Sequence, residues 1–239
     1  MTSVTSLMPM PNWRASFTNN LVGNLVSGFE GRRLDALFIS GGIDTRVKSR
    51  LSQQLHFLLE VDRLKSVERQ NHCVHAKRRE NSAEHSWHLA LFALVLDLPT
   101  SVDRYRVIQM LLLHDLVEID AGDTFAYDEE GHGDKLARET AAAERLFGLL
   151  PQAQGASLLE IWKEFEAQDS PEARAAAAID RFQPILLNRY SDDPSWARHG
   201  IRRDQVLTRN GIIEHEFPEL WSRLLQLTEE AVAMGILLP

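Results

Sequence analysis

From residue 51 onward the apolar residues of this chain recur three and four positions apart, and no strand-like alternation persists. Apolar residues at that period line one face of a helix. The chain is therefore constrained to bury helical stripes against one another, and the expected fold is all-α, a compact multi-helix bundle. Leu51, Leu55, Leu58, Leu59 and Leu64 predict a helix near 51–66. Asn81-Ser82-Ala83-Glu84 has the form of a capping box and predicts a helix near 82–97. Val107, Met110, Leu111 and Leu113 predict one over 103–117, and Asp120-Ala121-Gly122-Asp123 breaks the pattern. Further helices are predicted near 135–149 and 157–168. Ser170-Pro171-Glu172 is a strong start signal for another that runs to about 189. Two closing helices fit 203–209 and 215–234. Residues 1–50 differ, with Asn19-Asn20, scattered glycines and weak periodicity, and read as an N-terminal extension before a domain at 51–239.

Charge and cysteine usage narrow the function. Lys and Arg number 26 against 34 Asp and Glu, a net charge of −8. A nucleic-acid polymer is not an expected partner, because such binding rests on surplus cations. An anionic substrate must then be met by a local cationic patch or a metal. The longest unbroken apolar run, 89–96, is far short of the about 20 residues that span a bilayer, so no membrane partner is expected. Cys73 is the only cysteine, which excludes an intrachain disulfide and a cysteine-based zinc cluster. The N-terminal segment lacks the features of a secretory signal, and a cytoplasmic location is the expectation.

Three polar clusters interrupt apolar helical segments: Glu84-His85-Ser86-Trp87-His88, His114-Asp115 and Asp180 after Ala175–Ile179. Each puts an ionisable group where the pattern predicts burial, which is costly unless the group is paired or metal-bound. Two imidazoles and two carboxylates suit a divalent ion of the Mn, Co, Zn or Fe kind. Each cluster alone has a plainer reading: a hydrogen-bonded core histidine, or an Asp paired with a neighbouring Arg.

Taken together, Arg79–His88, His114–Thr124 and Asp180–Pro184, with Ser195–Ile201 downstream, resemble the HD-domain metal-dependent phosphohydrolases, most closely the small single-domain branch that includes the 5′-deoxynucleotidases. The resemblance covers roughly 51–235. It implies one divalent ion, Mn, Co, Zn, Mg or Fe, held by His85, His114, Asp115 and Asp180. It assigns Glu118 to the reacting water or leaving group and Asp123 to the sugar hydroxyl. Arg69 falls where the branch carries an Arg-Trp pair on the substrate, but Gln70 follows it here. Arg78 and Arg79 precede the first ligand helix and are expected to hold the phosphate. His88, Trp87 and His56 read as core or supporting residues. Pro184 is expected to kink its helix beside Asp180. The implied substrate is a small-molecule phosphate ester, a (deoxy)nucleoside 5′-monophosphate, cleaved to nucleoside and phosphate. A homodimer is expected, with Trp221, Leu224, Leu225 and Leu227 either forming its interface or facing the protein's own core. The rival readings are an HD-fold di-iron oxygenase, for which His88 and His56 are the spare histidines, and a non-catalytic nucleotide-binding module. A zincin motif is a poor match, since Glu84 precedes His85 and His88 is three residues on.

Overall fold

A computed structural model of the chain describes residues 49–239 except 129, 130 and 132, so the expected extension at 1–50 lies almost wholly outside the described residues. Helix α1 (Arg50–Val61) passes through a 3-10 turn (Asp62–Ser66) into an antiparallel pair, β1 (Glu68–His72) and β2 (Arg79–Asn81). Then come α2 (Ser82–Val95), α3 (Arg104–Leu113), a second 3-10 turn (His114–Val117) and the short α4 (Glu118–Ala121). The remaining helices are α5 (Lys135–Phe147), α6 (Gln152–Ala167), α7 (Pro171–Tyr190), α8 (Ser195–His199), α9 (Arg203–Arg209), α10 (Ile212–Glu216) and α11 (Pro218–Ala233). The all-α reading holds, with the one small hairpin as its addition.

Helix α7 is the axis of the larger core. Ser170 caps it by accepting from the Ala173 amide, and Pro171 opens its first turn. Ala175–Ala178 and Ile179 are buried, and their small side chains let α3, α6 and α10 pack close. The helix runs through Pro184 to Tyr190 without a break. A second core gathers Phe57, Leu116, Val117, Leu146, Phe147 and Trp162. Leu113 and Leu158 pack against both cores. The 114–117 turn therefore sits at their junction, which is where the helix expected over 103–117 tightens to 3-10. The Trp162 indole donates to the His114 carbonyl at 3.2 Å, pairing a carbonyl at that change of geometry.

Several elements differ from their expectation for local reasons. The 68–81 segment has no apolar alternation, yet it pairs as a hairpin, with Glu68 opposite Asn81 and His72 opposite Arg79. The helix expected at 215–234 divides at Phe217, whose backbone (φ −142°, ψ 76°) is outside the α region that a following proline disfavours. Pro151 opens α6 five residues before its expected start. On α1, Leu51, Leu55, Leu58 and Leu59 are exposed and Phe57 is the buried residue. On α11, Leu224 and Leu227 are fully buried in the larger core and face the protein's own interior, while Trp221 and Leu225 are half-buried. No described helix is long and apolar enough to cross a membrane.

Candidate metal centre

The capping box expected at Asn81 forms in full: its side chain accepts from the Glu84 amide at 3.0 Å, and Glu84 reaches back to the Asn81 amide. It fixes the first turn of α2 and places His85, completely buried, opposite α7. His85 Nδ1 lies 3.2 Å from Gln183 Oε1, an oxygen that can only accept, so Nδ1 carries the proton. His85 Nε2 then points at Asp180 Oδ1, 2.9 Å away. His114 repeats the pattern from the other side. Its Nδ1 donates to the Leu111 carbonyl at 3.0 Å, and its buried Nε2 has no hydrogen-bond partner.

Two imidazoles, each tied through Nδ1 to an oxygen and each presenting Nε2 inward, are oriented as metal ligands are by their supporting partners. His85, His114 and Asp180 offer ligand atoms all within 4.8 Å of one another. Asp115 stands beside this group: Oδ1 lies 3.1 Å from His114 Nε2, while Oδ2 lies 2.7 Å from an Arg69 nitrogen and 3.9 Å from His85 Nε2. The residues fit a divalent ion of nitrogen and oxygen preference.

The electrostatics point the same way. Arg69, on β1, is nearly buried and faces Asp115, Asp123 at 3.6 Å, Glu118 at 3.8 Å and Glu80 at 3.9 Å. Burial opposes its charge, but these carboxylates outweigh burial and hold the guanidinium firmly protonated. His85 behaves alike: burial and Arg69 work against its charge, and its bonds to Asp180 and Glu80 prevail, raising its pKa to about 9. Asp180 is held well below the carboxylate range despite burial, by the imidazoles of His114, 3.6 Å away, and His85, 2.9 Å away. Glu118 is pushed well above that range, first by burial and then by the charge of Asp115. Its Oε2 accepts from the Ser82 hydroxyl at 2.6 Å. Burial also raises Asp123, with Arg69 opposing. Gly122, at φ 75°, ends α4 and turns the chain so that Asp123 faces Arg69.

The structure separates two expected residues from the site. Arg78 is exposed and forms two hydrogen bonds with Glu84, so its charge is spent outside the cavity. Arg79 neighbours Glu80 in β2, where successive side chains face opposite ways; Glu80 takes the buried inward side and Arg79 does not line the cavity. Trp87 is 62% exposed and His56 is exposed, so neither belongs to the core. His88 is a supporting residue, with Nδ1 at 3.2 Å from Gln183 Nε2.

Other residues enter that were not expected. Gln183 accepts from His85 and donates to Glu80 Oε1 at 2.7 Å; its place one turn after Asp180 on the same helix face was the available signal. Lys135 lines the cavity and reaches Glu139 at 3.4 Å. Asn71, Asn188 and Ser195 form a buried network on the opposite wall, with Ser195 Oγ 2.9 Å from both amide oxygens.

Against known proteins, the family described as HD domain matches residues 61–221. A crystal structure titled as a predicted metal-dependent phosphohydrolase from Magnetospirillum magnetotacticum MS-1 is 45% identical, with a TM-score of 0.76 over 80% of this chain and 97% of that one. The 5′-deoxynucleotidase HDDC2 of Homo sapiens is 31% identical over 140 residues, 58% of this chain and 68% of the relative. The protein of the same name from Danio rerio is 26% identical over 181 residues, 75% of this chain and 88% of the relative.

Proposed function

This chain belongs to the HD domain family, and from that premise we propose that it is a divalent-metal-dependent phosphohydrolase that cleaves a (deoxy)nucleoside 5′-monophosphate to nucleoside and phosphate. The observation that carries this reading is the pair of imidazoles, each fixed through Nδ1 and aiming Nε2 at Asp180 among surplus carboxylates. His85, His114, Asp115 and Asp180 would hold the ion. When bound, such an ion lowers the pKa of a coordinated water toward about 7 and offsets phosphoryl charge. The chain's own groups do the rest. Arg69 holds Asp115, Glu118 and Asp123 in register and offers its remaining donors to the phosphate. Glu118, whose buried carboxyl holds a proton more firmly than an exposed one, gives a proton to the sugar oxygen as its bond to phosphorus breaks. Asp123 accepts from a sugar hydroxyl. The domain runs over 51–239 with 1–50 as its extension, and a cytoplasmic homodimer belongs to the same reading.

His88 and His56 do not favour the di-iron alternative, since one supports Gln183 and the other is exposed. The test is phosphate release from a panel of ribo and deoxy nucleoside monophosphates with each divalent metal, for the unaltered chain and Asp115→Ala. Release that needs metal and falls at least 100-fold in Asp115→Ala is expected. No release from any substrate, or unchanged release and metal content in the variant, refutes the reading.

A further inference from the structure

Besides Arg69, three cations line the cavity: Lys135, Arg181 and Arg209. Lys135 has Glu139 beside it. Arg181 and Arg209 have no such partner, for among the described residues no carboxylate oxygen lies within 4.0 Å of either guanidinium. In a chain with 34 acidic and 26 basic residues, cations without counter-charges are the exception.

The two arginines are held together. Arg181 follows Asp180 on α7, is half-buried, and donates to the Arg209 carbonyl at 3.0 Å and to Gln168 Oε1 at 3.4 Å. These bonds fix the side chain but bring no full negative charge. Arg209, exposed at the end of α9, lines the same cavity and an adjoining one. Asp204, on the wall of the adjoining cavity, is taken by Arg202. The shared cavity is also lined by the half-buried rings of Phe125 and Tyr127, against which a nucleoside can lie.

We propose that Arg181 and Arg209 form a second anion subsite in this cavity, so that the chain favours nucleoside bisphosphates over monophosphates. This rests on the phosphohydrolase reading. One phosphate ester meets the His85–His114–Asp180 end, and the second phosphate sits between two guanidinium forks, whose geometry matches its oxygens. The reaction keeps its balance: water adds to the phosphorus of one ester, and the sugar oxygen leaves with a proton.

The experiment compares kcat/KM for deoxyadenosine 3′,5′-bisphosphate and dAMP, by release of the 5′ phosphate, in the full chain, in Arg209→Gln and in Arg181→Gln. The expected preference for the bisphosphate is about tenfold or more, expressed in KM, and its ratio to dAMP falls toward one in R209Q. Arg209 is exposed, so R209Q carries the test even if R181Q folds poorly. A ratio near one in the unaltered chain, or a ratio kept in R209Q, overturns the subsite. Should neither compound be hydrolysed, the phosphohydrolase reading fails, and calorimetric titration of the metal-free chain with inorganic pyrophosphate decides the subsite alone. Binding about tenfold weaker in R209Q upholds it, and equal binding overturns it.

Discussion

Replacing Arg69 with Met keeps an unbranched apolar stem and removes the charge that four carboxylates face. At an effective dielectric near 20, a unit pair at the 2.7 Å separation from Asp115 attracts by about 6 kcal/mol, and each pair at 3.6–3.9 Å by about 4–5 kcal/mol. Desolvation of the guanidinium and repulsion among the carboxylates offset most of this. What remains is the cost of leaving buried charges unpaired, about 3–5 kcal/mol. For a domain of this size that lowers Tm by about 6–20 °C. The assay is thermal unfolding by circular dichroism at neutral pH in EDTA, repeated with saturating Mn²⁺. An ion at 100 times its Kd adds about 2.7 kcal/mol, and because it supplies charge that the variant lacks, the variant binds it more tightly at a given concentration, so the gap in Tm narrows with metal. The gap also narrows as pH falls, because Glu118 and Asp123, already raised, protonate and no longer need a cation. A variant that melts within 2 °C of the unaltered chain in EDTA, by the roughly 2–4 °C per kcal/mol scale, refutes the claim that Arg69 neutralises this cluster.

The protonation of His85 gives a second prediction. Its pKa of about 9 in the metal-free fold lies above the unfolded value, so its contribution to stability is complete below about pH 6.5 and is lost as pH rises through about 9. A metal ligand must be neutral, so each ion displaces that proton, and affinity rises about tenfold per pH unit from 7 until it flattens near 9. Isothermal titration with Mn²⁺ in buffers of different ionisation enthalpy measures the proton released; a pH-independent Kd with no proton release contradicts this. Gln183→Leu removes the acceptor for His85 Nδ1 and the donor to Glu80 while nearly keeping volume. Metal affinity is expected to fall about 10- to 100-fold, and unchanged metal content after dialysis shows that Gln183 does not orient His85.

The residues at the centre were legible because they violate their surroundings: His85, His114 and Asp180 are ionisable groups inside apolar helical stretches, and the structure buries both histidines and gathers all three. The capping box was legible because it is a local motif. The 68–81 hairpin was not, because hydrophobic alternation is what marks a half-buried strand, and here Arg69, Asn71 and Glu80 turn inward to form polar contacts. Without the strand, nothing distinguished Glu80 from Arg79, and the basic run drew attention to the side chain on the wrong face. The company of Arg69 was equally hidden. Its carboxylates come from β2, the 3-10 turn, α4 and the segment after Gly122, a convergence that belongs to tertiary structure alone. The exposed leucines of α1 mark the same limit: periodicity found the helix but not which side would be covered.

Charge balance connects the centre to its substrate. Glu80, Asp115, Glu118, Asp123 and Asp180 crowd one region, and the cations among them are Arg69 and, when protonated, His85. A phosphate dianion approaching that region meets net repulsion, and in a partly dry cavity such repulsion is strong. A divalent ion changes the sign of the encounter even after it displaces the proton of His85. Substrate affinity should therefore depend on metal more steeply than folding stability does. Lys135 cannot substitute, since Glu139 holds it. The dependence is measured by titrating a nucleoside monophosphate into Asp180→Asn, with hydrolysis slowed, at several Mn²⁺ concentrations. Equal affinity with and without metal would mean that the cavity's own cations, Arg69 with Arg181 and Arg209, admit the phosphate unaided.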